Sequence, residues 1–274
     1  MGAGRKLVVT IHDLIYLKGN QYTGSALGRA YVKVLFDRIE KNADAVITVS
    51  EYTKNDLLQS FPGLKGRVFV TYEAASPVFK PVNDVAGSAA LKKKHALARP
   101  FVLFVGSLKR HKNVPVLIDA MRVLRERGLP HELVLVGRKD LKERALLKKI
   151  EEGGSFVRWL SEVSDEDLAH LYPMAEAFVL PSLWEGFGLP VLEAMACGAP
   201  VLSSDRASLP EVVGTAGRLF DPERVDALVE LLYNVLNDSD LRQKMRADGF
   251  TQAKKFSWDK TAESTLKVYG QVLG

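Results

Sequence analysis

A single cysteine, Cys197, stands among 274 residues. One thiol excludes an intrachain disulfide and a cysteine-rich zinc site, and its place in Glu193-Ala194-Met195-Ala196-Cys197-Gly198 suits a small buried residue at a helix end. No apolar run approaches the roughly 18 residues that span a bilayer, and no signal-peptide core stands at the beginning. The expected location is therefore cytoplasmic, with attachment to a membrane surface left open by the basic charge. Internal repeats and low-complexity tracts are absent. The five histidines and 33 acids form no cluster with ligand spacing, so no metal is expected. Basic residues are scattered without interleaved aromatics, which argues against a nucleic-acid partner. What is there is an ordinary globular composition, 47% hydrophobic and 26% charged, long enough for one large or two modest domains. A net charge of +5 favours anionic partners such as a phosphorylated small molecule.

Apolar β-rich runs and helical periods alternate along the chain. Lys6 to Ile11 reads as a strand ending in His12-Asp13, followed by a helix from about Gly24 to Asn42, a strand at Ala45–Val49, a helix at Glu51–Gln59 capped by Ser50, and a strand at Val68–Val70. Lys54 and Asp56 are expected on the polar side of the second helix. Tyr72 to Pro81 carries two prolines and no period, as a connection would. A short helix at Ser88–Ala96 and a strand at Phe101–Val105 follow; further strands are expected at 132–136, 156–160, 177–180 and 200–203, with helices near 114–127, 140–152, 165–173, 189–197, 223–237 and 239–255. Such alternation predicts an α/β protein with parallel doubly wound sheets. The expected division is 1–82, 83–256, and a last helix at 257–274 that returns to the first part through Leu266, Val268, Tyr269 and Val272.

Two loops concentrate the chemistry. Glu185-Gly186-Phe187-Gly188-Leu189-Pro190-Val191-Leu192-Glu193 follows the apolar run Ala177–Leu180 and opens a helix. Pro190 suits the first helical turn, where a missing N–H costs nothing. The turn from Gly186 to Leu189 offers backbone N–H groups and a positive dipole end to a phosphate. Glu193 can accept hydrogen bonds from a vicinal diol such as ribose, and Glu185 from a sugar hydroxyl. Gly106-Ser107-Leu108-Lys109-Arg110-His111-Lys112-Asn113 is a second glycine-bearing turn after a strand, with Asn113 as the expected helix cap. Lys112, supported by Arg110, would meet the charge of a leaving diphosphate.

These pieces resemble the family-4 retaining glycosyltransferases, enzymes of the GT-B fold with two Rossmann-like lobes. The E-x7-E spacing of Glu185 and Glu193 carries the resemblance, along with Thr10–Leu14, Ala45–Ser50, Val105 to Asn113, Val163–Leu168 and Ser208–Val212. It implies metal-independent transfer of a sugar from a nucleotide-diphosphate donor, with retention, to a saccharide, lipid or small-molecule acceptor, and no cofactor beyond that donor. It further implies that Lys112, with Arg110 in support, contacts the donor phosphates, that Gly106, Ser107 and the turn Gly186, Phe187, Gly188 and Leu189 also bind the donor, that Glu185 serves the donor sugar, that Glu193 binds the ribose and the segment around Val163 the base, and that His12 stands near the donor sugar. His12, Lys112 and Glu185 would be the catalytic residues. Many relatives have arginine where this chain has Ser107.

The resemblance begins after the first βα units of such enzymes, so the N-terminal lobe is expected to be incomplete and completed by self-association or a second chain. A non-catalytic nucleotide-sugar-binding subunit or fragment is the alternative. A nicotinamide dehydrogenase fits less well, because Gly186-Phe187-Gly188 lacks the third glycine of a dinucleotide loop; a sugar-nucleotide epimerase is a third rival. Asp165-Glu166-Asp167 and Asp238-Ser239-Asp240 fall at helix starts, where acids complement the dipole rather than bind metal.

Overall fold

The computed structural model describes residues 5–18 and 26–274. In chain order its main elements are β1 (Val8–Ile11), α1 (Ala26–Asn42), β2 (Ala45–Thr48), α2 (Glu51–Ser60), β3 (Val68–Val70), α3 (Val85–Lys94), β4 (Phe101–Val105), α4 (Val114–Glu126), β5 (Glu132–Val136), α5 (Arg144–Glu152), β6 (Val157–Leu160), α6 (Asp165–Met174), β7 (Ala177–Leu180), α7 (Leu189–Cys197), β8 (Val201–Ser204), α8 (Leu209–Val213), β9 (Arg218–Phe220), α9 (Val225–Asn237), α10 (Ser239–Ala253) and α11 (Trp258–Leu273). They form two compact units. The first gathers the described residues up to Ala74 with Trp184–Phe187 and Phe256–Gly274; the second holds Ala75–Leu183 and Gly188–Lys255. Both sheets are parallel, as the alternation of strands with helices requires, because parallel neighbours need a crossover between them.

The first unit has three strands in the order β1-β2-β3. Ile11, Leu14, Phe36, Val46, Leu57, Phe61, Leu64 and Val68 pack on one side of the sheet, with Phe36 stacked on Phe61 at 5.3 Å. On the other side Ala45 and Ile47 meet Val268 of α11, with Val272 beside them. Leu266 and Tyr269, expected on that same face, point to solvent: at 100° per residue they fall away from the Val268–Val272 line. Ser50 caps α2, its oxygen accepting from Thr53 N–H at 3.0 Å. Asp56, expected on the polar side of α2, is buried, because Lys18 reaches in to pair with it. Gly24 and Ser25, where α1 was expected to begin, lie outside the described residues.

The second unit has six strands in the order β6-β5-β4-β7-β8-β9. Its central strands β4, β5, β7 and β8 are buried at every position. That pattern explains their continuous apolar sequences, since helices cover both faces of such a sheet. The order reverses direction between β4 and β7, and crevices beyond the carboxyl ends of strands at such a reversal are where α/β sheets hold ligands. The two glycine-bearing loops follow these two strands.

Candidate donor site in the second unit

Beyond the carboxyl ends of β4, β5 and β6 lies an open cleft of about 600 Å³, lined by Gly106, Ser107, Gly137, Arg138, Glu162 and Val163 among others. Its floor is a continuation of the β ladder. Val105 pairs with Val136; one step further, Gly106 N–H donates to Val136 O at 2.9 Å and Gly137 N–H to Leu160 O at 3.0 Å. A side chain at Gly137 would place its Cβ 2.0 Å from Gly106 O, so only glycine lets the two turns lie together. Trp159 closes the edge, donating from Nε1 to Gly137 O at 2.8 Å, and Lys139 lies over its ring at 3.6 Å. The volume falls in the range that holds small ligands.

The loop after β4 makes a single 3-10 turn, Arg110–Lys112. Lys112 reaches back over Gly106, its Cε 3.8 Å from where a Cβ on that glycine would stand, while Arg110 is exposed. Asn113 is not the side-chain cap that the sequence suggests. It adopts the left-handed conformation at φ 52°, and its Nδ2 donates to Pro222 O at 2.8 Å. This loop is tied to the one after β7 by Leu183 N–H donating to His111 O at 2.7 Å.

Helix α7 starts at Leu189 with Pro190 in its first turn and Gly188 in the left-handed region at φ 109°; no side chain caps it. Pro190 has no N–H and Val191 N–H donates to Gly188 O at 3.0 Å, so this helix start offers an anion its dipole more than its amides. Glu193 sits one turn in, half-buried, and accepts a hydrogen bond at 2.8 Å from the Tyr172 hydroxyl of α6. Burial raises the Glu193 carboxyl to about 7; the Tyr172 hydrogen bond opposes the rise and the charge of Asp165 adds to it. Cys197, at the buried end of α7, has its thiol pushed up to about 12 by burial and by Glu193.

The first unit carries the remaining candidates. His12, at the end of β1, is exposed and places Nδ1 3.1 Å from Glu73 Oε1; burial raises the Glu73 carboxyl, against the pull of His12. Glu185 lies half-buried in Trp184–Phe187. Ser50 Oγ donates to Gly186 O at 2.7 Å and Thr53 Oγ1 lies 3.2 Å from the same oxygen. A Cβ on Gly186 would lie 2.1 Å from His12 O, so this glycine serves close backbone approach. The Phe187 ring is buried against Tyr72 and Phe256 at 6.1 and 5.7 Å.

Sequence reasoning missed Arg138, Tyr172 and Glu73. Val136-Gly137-Arg138 repeats the pattern of Val105-Gly106-Ser107 and could have signalled the first. Tyr172 lies inside a helical run and Glu73 in a segment read as a connection, so neither had a local signal. Among the described residues no three of His, Cys, Asp and Glu gather as a metal ion would require. None of the described helices is long and apolar enough to cross a membrane.

Residues 88–252 match the family "Glycosyl transferases group 1". The O-antigen chain mannosyltransferase B of Escherichia coli is 34% identical over 267 residues, 96% of this chain and 70% of that protein. The serotype-specific mannosyltransferase WbdA of Escherichia coli is 30% identical over 98% of this chain, which spans only 34% of WbdA. Among solved structures, sucrose-phosphate synthase from Thermosynechococcus elongatus superposes with a TM-score of 0.80 at 27% identity, over 97% of this chain and 67% of that one. Anabaena Alr3699/HepE, solved with UDP and glucose, gives 0.82 at 21%, over 97% and 72%. The second of these likenesses speaks for fold alone. Together with the two parallel sheets, they place the architecture with the GT-B glycosyltransferases.

Proposed function

The chain belongs to the glycosyl transferases group 1, and from that premise we propose that it moves a hexosyl residue from a nucleotide-diphosphate donor to a saccharide, lipid or small-molecule acceptor, with retention at the anomeric carbon and without a metal ion. The observation that carries the reading is the arrangement around the reversal of strand order: a cleft over Gly106 and Gly137, Lys112 folded over one wall, and the uncapped N-terminus of α7. The base would enter the cleft near Val163, the ribose diol would meet Glu193, and the diphosphate would lie against Gly106, Ser107, Lys112, Arg110 and the turn from Gly186 to Leu189. As the glycosidic bond breaks, negative charge grows on the departing diphosphate. The lysine and the helix N-terminus are fixed donors for that charge, the role a divalent ion otherwise fills. His12 and Glu185 would serve the transferred sugar. Relatives named as mannosyltransferases favour mannose as that sugar.

The test is a donor-hydrolysis and transfer assay with GDP- and UDP-sugars and with saccharide and lipid acceptors, in buffer and in EDTA. Transfer that persists in EDTA and preserves the donor's anomeric configuration is the expected result. Inverted product, or activity lost in EDTA and restored by magnesium or manganese, would reject the mechanism. Donor binding with neither hydrolysis nor transfer would reassign the chain to a nucleotide-sugar-binding subunit.

A further inference from the structure

Tyr172 has no part in the reading above, yet its hydroxyl is aimed from the core at one of the proposed donor-binding groups. The side chain is fully buried. Its ring is clamped edge-on between Phe79 at 5.9 Å and Phe178 at 5.6 Å, both core residues, so it has no other rotamer to adopt without opening the core. A buried phenol needs an acceptor, and the partner it has is Glu193 Oε2 at 2.8 Å. We propose that Tyr172 is a positioning residue, which fixes the Glu193 side chain and keeps its carboxylate in the acceptor form that a ribose diol requires. This rests on the donor reading above.

The chemistry gives the hydroxyl two tasks. A carboxylate presents acceptor sites on both oxygens, and a single donor fixed on Oε2 sets the plane in which the rest are offered. The protonated acid has lost one acceptor site to its own O–H, and two diol hydroxyls then compete for what is left. The groups facing Glu193 are Tyr172 and Asp165 from α6 and Cys197 from its own helix. Burial and Asp165 push the carboxyl upward, to about 7, and the Tyr172 hydrogen bond pulls it downward. The Tyr172 and Cys197 protons are held more tightly than usual. Removing the phenol oxygen therefore moves the Glu193 midpoint to higher pH, and removing the Asp165 charge moves it to lower pH.

The experiment is calorimetric binding of GDP and UDP, each against its 2′,3′-dideoxy form, from pH 6 to pH 9. Taking the ratio of the two affinities cancels the titration of the phosphates and isolates the part that depends on the diol. In the unaltered protein this preference should rise about tenfold with pH, with its midpoint near neutrality, as the loss of one charge-assisted hydrogen bond would imply. Tyr172→Phe should shift the midpoint upward by about one pH unit, keeping the preference at pH 9 and losing it at pH 7. Asp165→Asn, an exposed change, should shift it downward. A Tyr172→Phe protein with an unmoved midpoint, or one that weakens ribo and dideoxy ligands alike, would overturn the positioning role. Should Glu193→Gln leave the diol preference intact, or neither GDP nor UDP bind, the donor reading itself fails. Should Glu193→Gln abolish the preference while Tyr172→Phe leaves its pH dependence unchanged, only the positioning role fails.

Discussion

The two units are made of the same βα pieces, but only one contains a reversal of strand order. In the second unit the order β6-β5-β4-β7-β8-β9 turns about between β4 and β7, so adjacent crossovers leave on opposite faces and their loops part to leave a crevice. The first unit runs β1-β2-β3 without reversal. His12 and Ser50 stand just beyond the ends of β1 and β2. Burial differs likewise: β4 is buried throughout, whereas β1 is buried only at Ile11, and Leu27, Tyr31, Val34 and Leu35 of α1 are exposed. Topology thus separates a unit whose strand order reverses at a crevice from a smaller one whose order does not.

The largest expected effect is that of a core truncation. Phe178→Ala, in β7, removes a fully buried ring and should cost about 3–5 kcal/mol. Val34→Ala on the exposed face of α1 should stay within about 0.5 kcal/mol. Denaturant unfolding of both variants, with amide exchange to resolve the units, is the measurement. Equal losses would show that the two cores stand or fall together.

Lys112 should matter for turnover and little for folding, since it is only partly buried. Lys112→Ala is expected to lower kcat by about 10²–10³ if the lysine stabilises the developing diphosphate charge, with the unfolding midpoint within about 0.5 kcal/mol of the parent. Near-normal turnover would remove it from the mechanism and shift the burden to α7.

The two glutamates of the motif sharpen the same contrast, because they belong to different units. Glu193→Ala should weaken the nucleoside diphosphate by about 1.5–3 kcal/mol, while Glu185→Ala should spare it and penalise only the sugar-bearing donor by a similar amount. Calorimetry with both ligands decides; equal losses in both variants would reject the assignment. Glu193 also carries a stability signature. Its folded-state carboxyl is raised to about 7 from an ordinary 4.5, so the folded chain holds that proton more tightly than the unfolded one. The resulting stabilisation is present below about pH 4.5 and is lost as pH rises through 7. Glu193→Gln should accordingly raise the unfolding midpoint at pH 8 and change it little at pH 4. The opposite sign would mean that the carboxylate has a partner we have not recognised.

The strands of the second unit were legible because complete burial leaves an apolar run, as in Phe101–Val105 and Ala177–Leu180. β9 was not, since Arg218–Phe220 is three residues long and only Phe220 is buried. Helix starts were readable where a short polar side chain caps: Ser50 and Asp238 both accept from the backbone as their positions suggest. Asn113 was misread because its backbone takes the left-handed form, which asparagine tolerates, and its side chain bonds a carbonyl far along the chain. The site was legible in its local parts, the two glycine turns and Glu193. Long-range pairings were not, in the fold or in the site: Asp56 of α2 pairs with Lys18, 38 residues away, and Tyr172 reaches Glu193 from 21 residues away. No pattern within one element encodes such contacts.

The smallest expected effect compares one helix cap in each unit. Ser164 caps α6 by accepting from Asp167 N–H at 3.1 Å and is exposed, so Ser164→Ala exchanges that bond for water and should cost about 0.5–1 kcal/mol. Ser50 makes the equivalent bond for α2 but is fully buried, and its hydroxyl also donates to Gly186 O. Ser50→Ala therefore removes a cap and one donor to the Gly186 carbonyl, which keeps the Thr53 hydroxyl 3.2 Å away. A less well satisfied, partly buried carbonyl adds to the loss, and the total should reach about 2 kcal/mol. The extra cost should be visible locally, as faster amide exchange in Trp184–Phe187, which would also loosen Glu185 and raise KM for the sugar donor while sparing nucleoside diphosphate binding. Equal costs for the two serines, with exchange at 184–187 unchanged, would mean that the hydrogen bond to Gly186 contributes nothing to holding the loop.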